Sequence, residues 1–278
     1  MLRGFYTAAS GMIAQQRRTE MLTNNMANVN TPGYKQDQSS LRAFPEMLMQ
    51  RMDTSGSAGK AGLNLPGSSY LGGVNTGVYV QETTPLFTQG DLQGTEKNTD
   101  LALEDRAMPV NQSTGTTGSV FFTVSNDDGN RRYTRNGNFT IDQQGYLTTP
   151  SGHYVLNTEG SRIKLDNDAF TVNSNGEVFE NDRRISQIGV AYADNPNALV
   201  KEGNGLFKAG NGQALPSALG NANVQFSVHQ GYVERSNVDS SRSMTDMMTA
   251  YRAFEANQKV LQAYDRSTDK MVNEVGRV

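Results

Sequence analysis

The sequence contains no cysteine and no tryptophan, only two histidines, and eight prolines among 278 residues. Without cysteine there is no disulfide, no thiolate metal site and no cysteine nucleophile, and a chain that must travel unfolded cannot mispair thiols. His153 and His229 have no carboxylate or second histidine at ligand spacing, so no histidine-held metal is expected. Long apolar runs are missing as well: mean hydropathy is −0.59, and no segment is suited to spanning a bilayer. The opening Met1-Leu2-Arg3-Gly4-Phe5-Tyr6 lacks the apolar stretch and cleavage site of a secretory signal, which by general rules points to the cytoplasm. Neither sign of charge dominates. Lys+Arg (25) nearly balances Asp+Glu (28), the net charge is −3, and no basic stripe favours a nucleic-acid partner.

Reaction chemistry is equally thin. Asn126-Asp127-Asp128-Gly129-Asn130 has the look of a calcium loop but lacks its terminal Glu ligand, and it reads as a hairpin turn. Asp166-Asn167-Asp168 reads as a solvated turn rather than a catalytic carboxylate pair. No phosphate-binding loop or nucleophile elbow occurs, so neither a cofactor nor an enzymatic activity is expected.

What is present falls into zones with different periods. From Met1 to about Gly33, apolar or small residues recur every three or four positions (Phe5, Ala8, Met12, Thr19, Leu22, Met26, Val29), predicting a helix. It ends at Asn28-Val29-Asn30-Thr31-Pro32-Gly33, where Asn tolerates a left-handed cap and Pro32 biases Thr31 away from helix. From about Ser240 a second long helix is predicted on Met244, Met247, Tyr251, Phe254, Leu261, Thr268, Val272 and Val275. Both stripes are narrow, as in a seam against a partner helix. Between them, short β-type runs such as Val120–Val124, Ile188–Tyr192 and Val224–Val228 alternate with Asp128-Gly129, Asn136-Gly137, Asn175-Gly176 and Asn211-Gly212, read as primed hairpin turns. Asp53 to Gly77 is Gly/Ser-dense and reads as a connector, and Phe44 to Met52 is expected to form a short helix starting at Pro45.

The expected class is α+β: long N- and C-terminal helices pairing as a coiled-coil-like domain and flanking an irregular antiparallel β domain. The expected division is 1–38 (N-terminal helix), 39–80 (connector), 81–236 (β domain) and 237–278 (C-terminal helix). Amphipathic helices at both ends are marginal alone and gain order from neighbours, and a contact that does not close into a ring propagates as a filament. Periodicity alone leaves a purely local core as the commoner meaning of such helices.

Two motifs change that balance. Leu22-Thr23-Asn24-Asn25-Met26-Ala27-Asn28-Val29-Asn30-Thr31-Pro32-Gly33-Tyr34-Lys35 resembles the helix end of the flagellar rod and hook axial family. Val233-Glu234-Arg235-Ser236-Asn237-Val238-Asp239, followed by Tyr251-Arg252-Ala253-Phe254-Glu255-Ala256-Asn257, resembles its C-terminal counterpart. Thr99–Leu103, Tyr133–Phe139 and Gly145–Thr149 resemble segments of the family's β domain, whereas Glu104–Ser119 is an insertion relative to it. Being longer than proximal rod subunits and shorter than hook subunits, the chain is most similar to a distal rod protein.

The resemblance implies a structural, non-enzymatic subunit, with terminal helices forming an inner tube and β domains an outer shell. Its implied seam residues are Met12, Leu22, Met26 and Val29 on the first helix and Met247, Tyr251, Phe254 and Leu261 on the last. Asn28, Asn30, Thr31, Pro32, Gly33 and Tyr34 form the implied exit turn. Export through the flagellar type III apparatus replaces the cytoplasmic expectation, and Phe44 with Leu48 fits the loose pattern associated with the export gate. The implied partners are copies of the chain, neighbouring rod and hook subunits and the exporter, with no membrane insertion, at the basal body of the cell envelope. The connector resembles the segment by which distal rod subunits brace one another. The alternatives are an extracellular adhesin or binding module built on the β domain, with dispensable end helices, and a glycan hydrolase, which would need paired carboxylates in a cleft.

Overall fold

The computed structural model describes residues 2–52, 68–126, 128–167, 169–210 and 212–275. It is α+β, with two long helices and antiparallel sheets. The chain divides into two compact units: residues 1–24, 38–83 and 241–278 form one, and residues 25–37 and 84–240 the other.

The first unit contains helix α1 (Leu2–Ala27), the strands β1 (Asp37–Ala43), β2 (Met47–Met52), β3 (Ser68–Val74) and β4 (Val78–Pro85), and helix α2 (Ser240–Lys270), which passes into a π-turn at Met271–Val275. β1 pairs with β4, and β2 pairs antiparallel with β3. The short helix expected at Pro45 is therefore replaced by a strand. The preference of proline for the first helical position is a local signal, and here ladder bonding to Ser68–Val74 decides the conformation. Two strand pairs thus occupy much of the stretch read as a connector, of which residues 53–67 lie outside the described set. The Ser10 hydroxyl of α1 accepts a hydrogen bond from the Val78 amide at 3.3 Å, so α1 meets the start of β4.

The second unit is all β: β5 (Leu92–Gly94), β6 (Leu101–Ala107), β7 (Ser119–Ser125), β8 (Arg131–Thr134), β9 (Thr140–Ile141), β10 (Leu147–Thr148), β11 (Tyr154–Val155), β12 (Phe170–Val172), β13 (Glu177–Glu180), β14 (Arg183–Gln187), β15 (Val190–Ala193), β16 (Leu199–Lys201), β17 (Leu206–Ala209), β18 (Gln225–Gln230) and β19 (Tyr232–Glu234). β7 is its centre, and every one of its residues is buried. One edge pairs with β8, while the other pairs first with β15 and then with β11. Because side chains alternate along a strand, Val120, Phe122 and Val124 enter the larger apolar cluster, and Phe121 enters a second one with Tyr133 and Phe207.

The turns follow a rule that dipeptides do not reveal. At Asn126, Asp142, Asn157 and Asn173, a glycine three residues on donates its N–H to the Asx carbonyl at 2.9–3.1 Å. The Asx side-chain oxygen accepts the N–H four residues on, at 2.7–2.9 Å. The signal is therefore Asx-x-x-Gly, a four-residue turn closed by a glycine at positive φ, rather than Asn-Gly alone. Asp128-Gly129 and Asn175-Gly176 are the ends of two such turns. A tight two-residue turn with positive φ at both positions does occur, at Asn181 and Asp182 without glycine. Gly137 does not have positive φ; a Cβ there would stand 1.5 Å from the Leu101 carbonyl oxygen, so close approach is what requires glycine. Asn211 lies outside the described residues.

Candidate functional site

Two features stand out, one in each unit. In the helical unit, contacts between α1 and α2 run in opposite order along the chain. A Cβ on Gly4 would meet the Tyr264 hydroxyl, and one on Gly11 would meet Asn257. Arg18 lies 3.8 Å from Asp246, and the Thr23 hydroxyl 3.6 Å from the Met247 sulfur. The two helices are thus antiparallel neighbours. Among the less exposed positions, Gly4, Ala8, Gly11, Gln15, Arg18 and Leu22 on α1 step by four and three residues, as do Met247, Ala250, Phe254, Asn257, Leu261 and Tyr264 on α2. Read in opposite directions, the two series match level for level. Of the seam residues expected from sequence, Leu22 is buried, and Met12, Met26, Val29, Met247, Phe254 and Leu261 are half-buried. Tyr251 sits one position off this series and is 56% exposed. Sequence reasoning missed the small residues Gly4, Gly11 and Ala250, because an apolar-stripe search favours large side chains. Phe5, Tyr6, Ile13, Met244, Met248 and Tyr251 remain exposed.

In the β unit, the segment leaving α1 is locked into the sheet. α1 ends at Ala27, and Asn28, Val29 and Asn30 continue in turns without any left-handed asparagine; the left-handed residue is Gly33, at φ +67°. The expected asparagine cap is thus not formed. The Thr31 N–H bonds the Asn28 carbonyl at 3.1 Å, and the Tyr34 N–H bonds that of Thr31 at 3.2 Å, winding Pro32 into a tight exit. Gly33 then donates its N–H to the Glu234 carbonyl at 2.7 Å, and a Cβ there would collide with the Arg135 backbone at 2.4 Å. Asn25, fully buried, donates to the Asp37 carbonyl at 2.8 Å and accepts from the Asp37 N–H at 2.9 Å and the Tyr34 hydroxyl at 3.1 Å. Burial first, and then the Asp37 carboxylate, raises the Tyr34 pKa. Asn30 is exposed and faces solvent.

Directly behind this turn lies a buried ion network. Lys35 Nζ stands 2.6 Å from Glu234 Oε1 and donates to the Thr88 carbonyl at 2.8 Å. Arg135 donates to Glu234 Oε2 at 2.7 Å, to Asp105 Oδ1 at 2.8 Å and to the Val120 carbonyl at 2.8 Å. The Gly90 N–H adds a bond to Glu234 at 3.0 Å. Side-chain exposure is 2% for Lys35, 1% for Glu234, 0% for Arg135 and 13% for Asp105, so the charges are compensated almost entirely by one another. Burial, reinforced by neighbouring Arg135, pushes the Lys35 pKa down to about 8 despite its carboxylate partner. Burial would raise the Glu234 pKa, but Arg135 and Lys35 outweigh it and hold the carboxyl below its usual range. Asn237 completes the cluster by accepting from the Gln36 N–H at 2.7 Å and donating to the Leu86 carbonyl at 2.8 Å.

Lys35, Arg135, Glu234 and Asn237 each lie in a motif visible in the sequence, but no spacing rule links positions so far apart. Asp105, the fourth charge, falls in the stretch read as an insertion and lies on β6. Phe44 stacks on Tyr79 with ring centroids 5.2 Å apart; Leu48 lies on β2, its side chain outside the described set. Among the described residues, no group of three or more His, Cys, Asp or Glu side chains is arranged to hold a metal, and no helix is long and apolar enough to cross a membrane.

Comparison with known proteins matches three segments. Residues 5–35 match the family described as flagella basal body rod protein, residues 116–180 the flagellar hook protein FlgE/F/G D1 domain, and residues 229–274 the flagellar basal body rod FlgEFG protein C-terminal family. The chain is 48% identical to the flagellar hook-basal body complex protein FlhO of Bacillus subtilis, over 100% of both chains. It is 31% identical to the flagellar basal-body rod protein FlgG of the same bacterium, over 98% of this chain and 99% of that one. Identity to FlgG of Borreliella burgdorferi is 30%, over 95% of this chain and 96% of that one.

Proposed function

Because the chain belongs to the flagellar basal-body rod and hook protein family, we propose that it is a distal rod subunit that polymerises through its two terminal helices. It is a structural protein of the flagellar basal body, not an enzyme, and its neighbours are other axial subunits. The observation that carries the finer reading is the matched four-three spacing of α1 and α2. It supports a coiled-coil-like pair formed from the two ends of the chain, with large apolar side chains left outside for neighbouring copies to cover. Full-length similarity to rod proteins of comparable size supports the distal assignment over proximal rod or hook. The 48% identity to FlhO, against 31% to FlgG from the same bacterium, favours a subunit of the FlhO kind. The chain reaches the rod through the flagellar type III exporter. The adhesin alternative finds no support among the similar proteins.

The β unit gives the subunit a rigid body. Its locked exit turn ties residues 33–37, 86–90 and 234–237 together, close to where the chain passes between units. The experiment is to express a tagged chain in its native strain and blot purified hook–basal bodies. The full chain is expected in several copies per basal body, and variants lacking residues 2–27 or 240–275 are expected to be missing. Incorporation of either truncated chain at wild-type level would overturn polymerisation through the helices.

A further inference from the structure

The helical unit carries two exposed apolar stripes that the α1–α2 pair does not use. One lines a groove of about 440 Å³ formed by Arg3, Tyr6, Ala9, Ser10 and Ile13 of α1 together with Phe44 and Thr76. Four of its helical residues, Arg3, Tyr6, Ser10 and Ile13, step three, four, three. The other is a ridge on α2, where Met244, Met248, Tyr251 and Glu255 step four, three, four. Tyr6, Ile13, Met244, Met248 and Tyr251 are 63%, 51%, 53%, 47% and 56% exposed.

We propose that the Met244–Glu255 ridge of one copy docks antiparallel into the Arg3–Ile13 groove of a second copy, with Glu255 facing Arg3. The proposal rests on the polymerisation reading and names the contact that performs it. Laid in opposite directions, the stripes match at four successive levels: Arg3 with Glu255, Tyr6 with Tyr251, Ser10 with Met248, and Ile13 with Met244. The lengths agree, since the rise from Arg3 to Ile13 is about 15 Å and that from Met244 to Glu255 about 16 Å. The charges agree too. Arg3 and Glu255 carry no ion pair among the described residues, and each closes the same end of its stripe. The opposite placement, Arg3 over Met244, would leave both charges against apolar neighbours.

The size of the contact identifies its setting. Five side chains of this kind, about half exposed, bury on the order of 500 Å², less than half the area of the smallest stable protein–protein interface. A pair held by this contact alone dissociates, so free copies remain monomeric and the contact persists only where several neighbours act together. Groove and ridge are different surfaces, so the contact is heterologous and propagates instead of closing into a dimer.

The test compares R3E, E255R and R3E/E255R as the sole gene copy, with export into the medium measured alongside to show that each variant is made and secreted. Each single variant is expected to reduce rod-bearing basal bodies at least tenfold, and the double variant to restore them to within twofold of wild type. Because the chain has no cysteine, I13C/M244C supplies an independent reading: oxidised basal bodies should give a ladder of disulfide-linked multimers. Singles that assemble normally, a double variant no better than the singles, or the absence of a ladder would overturn this contact. If the deletion strain lacks rods when those results are obtained, the distal-rod role stands without it; normal rods in the deletion strain would overturn both.

Discussion

Replacing Glu234 by glutamine should damage the β unit more than any surface substitution, and the structure gives the reason. Among the described residues, Glu234 is the one carboxylate that touches both buried cations, at 2.6 Å from Lys35 and 2.7 Å from Arg135. Two cations and two anions balance in the native network. After E234Q, Asp105 alone must compensate Lys35 and Arg135, neither of which has access to water. Removing one partner of a buried charge pair costs about 3–5 kcal/mol, because the group left behind stays desolvated and uncompensated. For a unit of this size that corresponds to a fall in Tm of roughly 6–20 °C. The double variant E234Q/K35M restores the balance, leaving Arg135 with Asp105, and should recover about 2 kcal/mol relative to the sum of the single losses. The assay is urea unfolding of the full chain. With no tryptophan in the sequence, near-ultraviolet circular dichroism of the buried Tyr133 and Tyr192 reports on the β unit. An E234Q variant within 1 kcal/mol of wild type, or a double variant no more stable than E234Q, would refute the account of the network.

Three further outcomes follow from the same geometry. Gly33→Ala introduces a Cβ at a left-handed position and 2.4 Å from the Arg135 backbone, so it should lower β-unit stability by about 3 kcal/mol in the same titration. Asn25→Ala removes the side-chain acceptor of the Asp37 amide and the nearer acceptor of the Tyr34 hydroxyl, and should cost about 2 kcal/mol, with amide exchange at Asp37 accelerating. Lys35 sets a pH dependence. Its folded pKa, about 8, lies below its ordinary 10.5, so the unfolded chain binds the proton more tightly in between. The Lys35 contribution therefore raises stability as pH climbs from 8 towards 10.5, and below 8 the penalty stays constant. The difference in urea midpoint between wild type and K35M should change across that window and be flat from pH 6 to 7.5.

The sequence made the helices legible because a three-four rhythm recurs along most of each, and the strands because β-branched and aromatic runs such as Val120–Val124 leave no helical face. Local rules failed where partners far along the chain decided the matter. Pro45 signals a helix start, yet pairing with Ser68–Val74 makes the following residues a strand. Asparagine in Asn28–Gly33 signals a left-handed cap, yet the chain turns left-handed only at Gly33, where the Glu234 carbonyl and the Arg135 backbone leave room for nothing larger. The seam was half visible: Leu22, Met247, Phe254 and Leu261 were apolar enough to notice, whereas Gly4, Gly11 and Ala250 matter because they are small. The ion network was least visible. Lys35, Asp105, Arg135 and Glu234 look like ordinary charges in their own segments, and only the β sheet brings them together.

Electron microscopy of basal bodies purified from a strain lacking this gene tests the central claim most directly. The account predicts rods that end short of the outer envelope and carry no hook, with full-length rods and motility returning on complementation. Complete rods bearing hooks and filaments in that strain would contradict an axial role for this chain.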